Sequence, residues 1–263
     1  MTRIVIFEGN PAGMIAREGH GNGDLYMAAL RRAATRQPEI EIRHPYAPGF
    51  RAEAQALDGV DGIVFTGSSV QWSVDAPEAA PLRAAMEAAF AAGKPVLGSC
   101  NGLQLAAVVL GGAAGPSPNG RELGIARDVT LSEAGRNHPL HRGRRPVFAV
   151  PCVHRDEVTA LPRGAVVTAG NAHSPVQAMV YEEGGIRFWG MQYHPECRPA
   201  HFAPLIEDGA SLFNSAPELA ADLRAADADP EGAAARRLGA IEDDLAPHMR
   251  LSELRNWLDS LPL

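Results

Sequence analysis

The sequence predicts an α/β protein: a three-layer open sheet that is mostly parallel in its core, with an antiparallel segment and a C-terminal helical extension. Three observations lead to this fold class. Short apolar, β-rich runs alternate with alanine-rich helical patterns up to about residue 110. Strand-like runs then follow one another up to residue 191, and no strand signal remains beyond about His201. Alternation is typical of a parallel sheet covered by helices, whereas consecutive strands favour antiparallel pairing.

In the first half, strand and helix signals take turns along the chain. Strands are predicted at 3–7, 39–43, 60–65 and 95–99, and helices at 24–36, 77–92 and 101–110. The second helix begins with Asp75 and Pro77, and Gly111-Gly112 ends the third. Ligands of such sheets bind beyond the carboxyl ends of the strands, so functional residues are expected there.

The second half predicts shorter strands and an appended set of helices. The strands are expected at 123–131, 146–153, 165–169, 177–181 and 186–191. The chain therefore divides into a domain over residues 1–200 and a helical extension over 201–263. Near its end, an apolar stripe at helical spacing needs a surface to pack on, either the core or a second subunit, so a homodimer remains open. The stripe consists of Leu251, Leu254, Trp257 and Leu258.

The composition argues against membrane insertion and general nucleic-acid binding. The chain has 263 residues, 46% of them hydrophobic, and a net charge of −7, whereas nucleic-acid binding needs clustered Lys and Arg. No stretch approaches the ~20 apolar residues that span a bilayer. Three cysteines cannot form a disulfide framework and no charged leader precedes the first strand, so we expect a cytoplasmic protein. The arginine-rich run 136–145 is interpreted as a solvated loop rather than an anion or partner site.

Cys100 lies in a run of small residues, Gly98-Ser99-Cys100-Asn101-Gly102, directly after the apolar stretch 95–97. A nucleophile on a sharp strand-to-helix turn needs neighbours without bulk, so that the chain bends tightly and the side chain stays accessible. The following helix directs its N-terminal partial positive charge at the thiol and favours the thiolate. The alternative is that Cys100 is a small buried apolar residue in a strand–helix corner.

A matching base lies late in the chain, where His194 and Glu196 stand on either side of Pro195 after a predicted strand. Proline restricts its own backbone and that of the residue before it, so the two side chains are held in a defined arrangement. Cys, His and Glu correspond to a nucleophile, a base and the group that orients the base. Alone, such a corner is more often a surface turn. Together with Cys100, it predicts a catalytic triad.

These motifs resemble the class I (triad) glutamine amidotransferases, and within them the GMP-synthetase-type amidotransferase domain. The resemblance covers residues 1–200 and is carried by GSCNGLQ at 98–104, MQYHPE at 191–196, the strand and glycine loop at 59–69, and HRDEV at 154–158. It implies a flavodoxin-like fold. The site residues it implies are Cys100, His194 and Glu196 as the triad, Gly67, Ser68 and Asn101 around the oxyanion, and Gln104 against bound glutamine.

The resemblance also implies the reaction. The enzyme would hydrolyse the γ-amide of glutamine, or of a γ-glutamyl amide, through a Cys100 thioester and without a cofactor or metal. Because no ATP-binding loop is visible, the released nitrogen would pass to a separate synthetase subunit or leave as product. One alternative is a hydrolase for N-substituted glutamines in amine catabolism, and another is a catalytically silent binding or regulatory module.

Three further features are given structural interpretations. The run 19–23 is glycine-rich but lacks the spacing of a phosphate loop, so a mobile loop near the site is expected. Cys152 lies near His154, and Cys197 follows Glu196, but neither forms the closely spaced ligand pair typical of zinc. No metal site is predicted.

Overall fold

The computed structural model describes residues 1–207 and 216–262, and a nine-stranded sheet forms its centre. The strands of the described residues are β1 (Arg3–Phe7), β2 (Glu39–Arg43), β3 (Gly62–Phe65), β4 (Pro95–Ser99), β5 (Ala113–Pro116), β6 (Glu122–Leu131), β7 (Val147–His154), β8 (Asp156–Ala160), β9 (Val166–Gly170), β10 (Ala178–Tyr181) and β11 (Arg187–Met191). The α-helices are α1 (Ala12–Glu18), α2 (Asn22–Ala33), α3 (Ala80–Ala91), α4 (Asn101–Val109), α5 (Glu133–Asn137), α6 (Ala203–Glu207), α7 (Pro217–Ala228), α8 (Ala233–Arg237), α9 (Pro247–Arg250) and α10 (Ser252–Ser260).

The sheet has a parallel half and an antiparallel half, as predicted. Its order is β2-β1-β3-β4-β11-β10-β9-β6-β7, and pairing is parallel from β2 to β11 and antiparallel from β11 to β7. The two central strands, β4 and β11, are parallel neighbours with Leu97 opposite Trp189. Their carboxyl ends therefore lie side by side, although they are far apart in sequence. β5 and β8 form a separate antiparallel pair.

Helices cover both faces of the parallel half because its apolar side chains alternate between two cores. In β1, Ile4 and Ile6 point to a core that includes residues of α2 and α10. Val5 and Phe7 point to the opposite core, which includes residues of α3 and α4. This pattern is expected when successive side chains of a strand leave on opposite faces and both faces are buried.

The C-terminal helices pack on the same sheet. Leu251, Leu254 and Trp257 are buried in one cluster with Ile4 and Leu30. Residues of α6, α7 and α8 form a third cluster against β6 and β7. Among the described residues, no helix is long and apolar enough to cross a membrane.

The arginine-rich run differs from its prediction. It is not a solvated loop: it contains part of α5 and a 3-10 turn at Pro139–His141, and Arg144 is buried. Arg144 makes two hydrogen bonds of 2.7 Å with the buried carboxylate of Glu253. Arg145 binds acidic side chains of residues 242–244. The run thus docks the C-terminal extension through ion pairs.

Candidate active site

Cys100 occupies a strained turn between β4 and α4. Its backbone has φ 49° and ψ −106°, a region that residues other than glycine rarely adopt. The turn also needs small neighbours, because a Cβ on Gly102 would overlap the carbonyl of Phe65 and one on Gly98 would lie 2.7 Å from the backbone of Gly102. This is the geometry of a nucleophile elbow, which presents a side chain at the end of a central strand.

His194 lies beside the elbow, because its strand β11 is the parallel neighbour of β4. The backbone N–H of Cys100 donates to the Met191 carbonyl at 2.8 Å, which ties the two strand ends together. Both Cys100 Sγ, at 3.7 Å, and His194 Nε2, at 3.3 Å, face the carbonyl oxygen of Val153. The structure therefore brings the predicted nucleophile and base to one point.

Glu196 holds the other side of the imidazole. His194 Nδ1 and Glu196 Oε1 are 2.7 Å apart, and both residues are buried. Burial alone would lower the pKa of His194, but the Glu196 carboxylate and hydrogen bonds with Cys100 and Cys197 raise it well above its usual range. The Glu196 carboxylate therefore favours the protonated form of the His194 imidazole. An imidazolium next to a thiol favours the thiolate, which is the reactive form of cysteine.

Gly67 lies directly against this pair. A Cβ at Gly67 would be 2.8 Å from Cε1 of His194 and 3.7 Å from Cβ of Cys100. The Gly67 carbonyl accepts hydrogen bonds from Asn22 Nδ2 at 2.9 Å and from Thr66 Oγ1 at 2.8 Å. These two donors fix the carbonyl, and hence the orientation of the peptide that joins Gly67 to Ser68.

Ser68 and Asn101 are, with Gly67, the residues expected around the oxyanion. The Ser68 hydroxyl is used elsewhere, since it donates to the Gly9 carbonyl at 2.8 Å and anchors the loop to the end of β1. Within the described part of the chain, the backbone N–H groups of Ser68 and Asn101 make no hydrogen bond. Asn101 is the first residue of α4, and its side-chain oxygen is also without a partner there. The backbone N–H groups of Ser68 and Asn101 are thus free to donate to a ligand.

Gln104 lies one turn along α4 and is buried. Its Nε2 donates to the Asp156 carbonyl at 2.6 Å and lies 3.2 Å from Gln192 Oε1. Arg155 and Ser73 hold the Asp156 carboxylate. Gln104 thus links α4 to β8 beside the elbow, and its contact with a bound substrate stays a prediction.

Val153 and Asn22 are site residues that were not predicted. Val153 contributes a backbone carbonyl, which leaves no signal in the sequence. Asn22 lies in the glycine-rich run, which is not a loop throughout: Gly19 ends α1, Gly21 caps α2, and Asn22 begins α2. The Glu8 carboxylate accepts from the Gly23 N–H at 2.7 Å and so fixes this first turn.

Two groups of side chains in the described residues bring three ligand-type atoms within 4.8 Å of one another. One contains His194, Glu196 and Cys197, and includes the His194–Glu196 contact described above. The other contains Glu122, His154 and His173. There the Glu122 carboxylate already accepts hydrogen bonds from His154, Asn171 and Gln177. The amide N–H groups of Asn171 and Gln177 already occupy the Glu122 carboxylate, and N–H groups cannot act as ligands to a cation. This group therefore fits a buried hydrogen-bond network better than a metal site.

Comparison with known proteins gives one consistent result. A family model described as glutamine amidotransferase class I matches residues 22–210. The chain is 40% identical, over 163 residues, to a γ-glutamyl-L-1-hydroxyisopropylamide hydrolase of Pseudomonas sp.. It is 35% identical, over 139 residues, to the glutamine-hydrolysing GMP synthase of Enterobacter sp. (strain 638).

These alignments cover parts of the chains. The first covers 61% of this chain and 55% of the hydrolase, and the second covers 51% of this chain and 25% of the GMP synthase. The chain thus spans about half the length of the first relative and a quarter of the second. In structure, it resembles a glutamine amidotransferase from Methylobacillus flagellatus with a TM-score of 0.63 and 20% identity, over 99% of this chain and 95% of that one. This last similarity concerns the fold.

Proposed function

Because the chain belongs to the class I glutamine amidotransferase family, we propose that it hydrolyses the amide bond of an N-substituted γ-glutamyl amide through a thioester on Cys100. The observation that carries this proposal is the arrangement of Cys100 and His194 around the Val153 carbonyl, with Glu196 2.7 Å from the far side of the imidazole. A strained elbow and an oriented imidazole are the features that activate a thiol.

In the proposed mechanism, the Cys100 thiolate attacks the amide carbon of the γ-glutamyl group. The N–H groups of Ser68 and Asn101 donate to the oxyanion, as preorganised backbone donors do in acyl transfer. His194 gives its proton to the departing amine as the C–N bond breaks, which leaves a γ-glutamyl thioester. Water then attacks the thioester while His194 accepts its proton, and collapse of the tetrahedral intermediate releases glutamate and restores the Cys100 thiolate beside the protonated His194. Glu196 keeps the imidazole oriented and stabilises its charged form.

The N-substituted substrate class is supported by the 40% identity to a γ-glutamyl-amide hydrolase. A second candidate is a glutaminase that supplies ammonia to a separate synthetase, which the 35% identity to GMP synthases supports. Both candidates use the same chemistry at Cys100 and differ in the group that leaves. They therefore predict different preferences for the amine side of the substrate.

We also propose that the amidotransferase domain spans residues 1–200 and the helical extension residues 201–263. The family match at 22–210 supports the bounds of the amidotransferase domain.

We further propose a cytoplasmic location. The three cysteines are free and buried, which supports a reducing, cytoplasmic compartment.

The test measures glutamate release from glutamine and from γ-glutamyl alkylamides of increasing size. Hydrolysis of the alkylamides with higher kcat/KM than glutamine supports the first candidate, and the reverse supports the glutaminase. Cys100→Ala should abolish release. Cys152→Ala is the matched control, because it removes another buried thiol whose polar neighbour is Glu122. Absence of glutamate from every substrate, together with no acylation of Cys100, would favour the silent binding module.

A further inference from the structure

The C-terminal extension reaches the catalytic residues through Arg250, the last residue of α9. The guanidinium Nη1 donates to the carbonyl of Pro195 and, at 3.1 Å, to that of Cys197. These two carbonyls belong to the residues on either side of Glu196. Arg250 therefore fixes the peptide on both sides of the carboxylate that orients His194.

Arg250 is held differently from the other buried arginine of this region. Arg144 is paired with the Glu253 carboxylate, whereas Arg250, only 4% exposed, has no carboxylate within 4.0 Å in the described part of the chain. A buried guanidinium without an ion-pair partner is costly. Its polar contacts are two carbonyls of the segment 193–197, which we name the catalytic corner. Arg250 therefore contacts the catalytic corner rather than an acidic side chain.

A second residue of the extension grips the same corner. Glu253, three residues after Arg250, accepts a hydrogen bond from the Tyr193 hydroxyl at 3.0 Å. The side chain before His194 and the backbone after it are thus contacted by the last residue of α9 and the second residue of α10.

We propose that Arg250 is a positioning residue for the Glu196–His194 pair, so that the C-terminal extension contributes to catalysis and not only to stability. This inference rests on the proposed roles of Cys100, His194 and Glu196. Loss of Arg250 frees the peptides around Glu196 and weakens its hydrogen bond to the His194 imidazole, so that the imidazole is no longer held in position to accept the Cys100 proton.

The experiment compares Arg250→Met with Asn256→Ala in the full-length protein. Asn256 is a matched control because it also docks the extension through two main-chain carbonyls, those of Leu140 and Arg142, each at 2.9 Å, without touching the catalytic corner. Three quantities are measured: the midpoint of thermal unfolding, kcat and KM for glutamate release, and the rate of Cys100 alkylation by iodoacetamide at neutral pH, read by peptide mass spectrometry.

Both variants should unfold at lower temperature. Only Arg250→Met should lose kcat and alkylation rate, by about 10- to 100-fold, with KM changed by less than about threefold. Arg250→Lys keeps the charge and the donors and should recover part of the rate. Equal losses in Arg250→Met and Asn256→Ala, or an unchanged alkylation rate in Arg250→Met, would overturn the proposal. If Arg250→Met does not fold, Arg250→Gln is measured in the same way.

Alkylation separates this inference from the proposed function, because it needs no substrate. If no γ-glutamyl compound is hydrolysed but Cys100 alkylation still falls in Arg250→Met and not in Asn256→Ala, the function is wrong and the positioning role stands. If glutamate is released with equal kcat by the wild type and Arg250→Met, the function stands and the positioning role is wrong.

Discussion

Replacing Glu196 by glutamine should lower kcat by about 10- to 100-fold. The His194–Glu196 contact is short, at 2.7 Å, and buried. A hydrogen bond to a charged group contributes about 1.5–3 kcal/mol, and each 1.4 kcal/mol is a factor of about ten in rate. Glutamine can also donate its amide N–H to Nδ1 and so select the tautomer with a proton on Nε2, which cannot accept a proton from the thiol. The loss should therefore lie at the upper end of this range.

The Glu196→Gln substitution should also change the pH dependence of kcat, in a direction that follows from the pKa of His194. His194 has a pKa raised well above its usual range, and after burial, which acts in the opposite direction, the main influence is the Glu196 charge. Without that charge the pKa of His194 falls, so the imidazolium that protonates the leaving amine is lost at lower pH. The alkaline limb of kcat should move to lower pH in Glu196→Gln.

The assay is glutamate release over a pH series, with Glu122→Gln as the control. Glu122 also forms a buried pair with a histidine, at 3.0 Å from His154 Nε2, and hydrogen bonds lower its pKa despite the opposing effect of burial. Its replacement should lower stability but leave the position of the alkaline limb unchanged. A Glu196→Gln enzyme with wild-type kcat and the same alkaline limb would refute the assignment of Glu196.

Three further predictions concern other parts of the site. Asn22→Ala removes a side-chain donor to the Gly67 carbonyl and should lower kcat by about tenfold with little change in KM, measured by steady-state kinetics; an unchanged kcat would show that the peptide holds its orientation without Asn22. Gly102→Ala places a methyl group on the Phe65 carbonyl and should lower the midpoint of thermal unfolding by several degrees or prevent folding, and a midpoint equal to the wild type would contradict the close packing. Glu253→Gln leaves a buried arginine uncompensated and should reduce the free energy of unfolding by about 3–5 kcal/mol in urea denaturation, whereas a change below about 1 kcal/mol would mean that the ion pair contributes little.

Local sequence patterns predicted the central part of the fold well. β1, β2 and β4 have the predicted bounds, since each is a short β-rich run between turn signals. The order of strands in the sheet, by contrast, depends on long-range pairing that a local pattern does not contain. The short strands β5 and β8 were missed because AAGP contains glycine and proline and DEVTA begins with two acidic residues, so neither is an apolar β-rich run.

The arginine-rich run shows the main limit of composition as a guide. A cluster of four arginines predicts exposure, but Arg144 is buried because it pairs with the Glu253 carboxylate. That partner lies 109 residues away in the sequence, so a local pattern does not reveal it. The burial of Arg250 was not predictable either, because its partners are backbone carbonyls, which leave no signal in the sequence. For the site, the proximity of Cys100 and His194 was predictable from their motifs, whereas the backbone contacts around them were not.

The order of strands in the sheet has a consequence for how the protein matures. β4 completes its place in the sheet only when β11 inserts beside it, and β11 lies about 90 residues later in the chain. Such non-local pairing forms late and slowly. During synthesis, Cys100 therefore leaves the ribosome long before His194 does. Until β11 has paired with β4, no imidazole lies beside the Cys100 thiol. The appearance of fast Cys100 alkylation during refolding should coincide with the last folding phase, so that reactivity reports the completed fold.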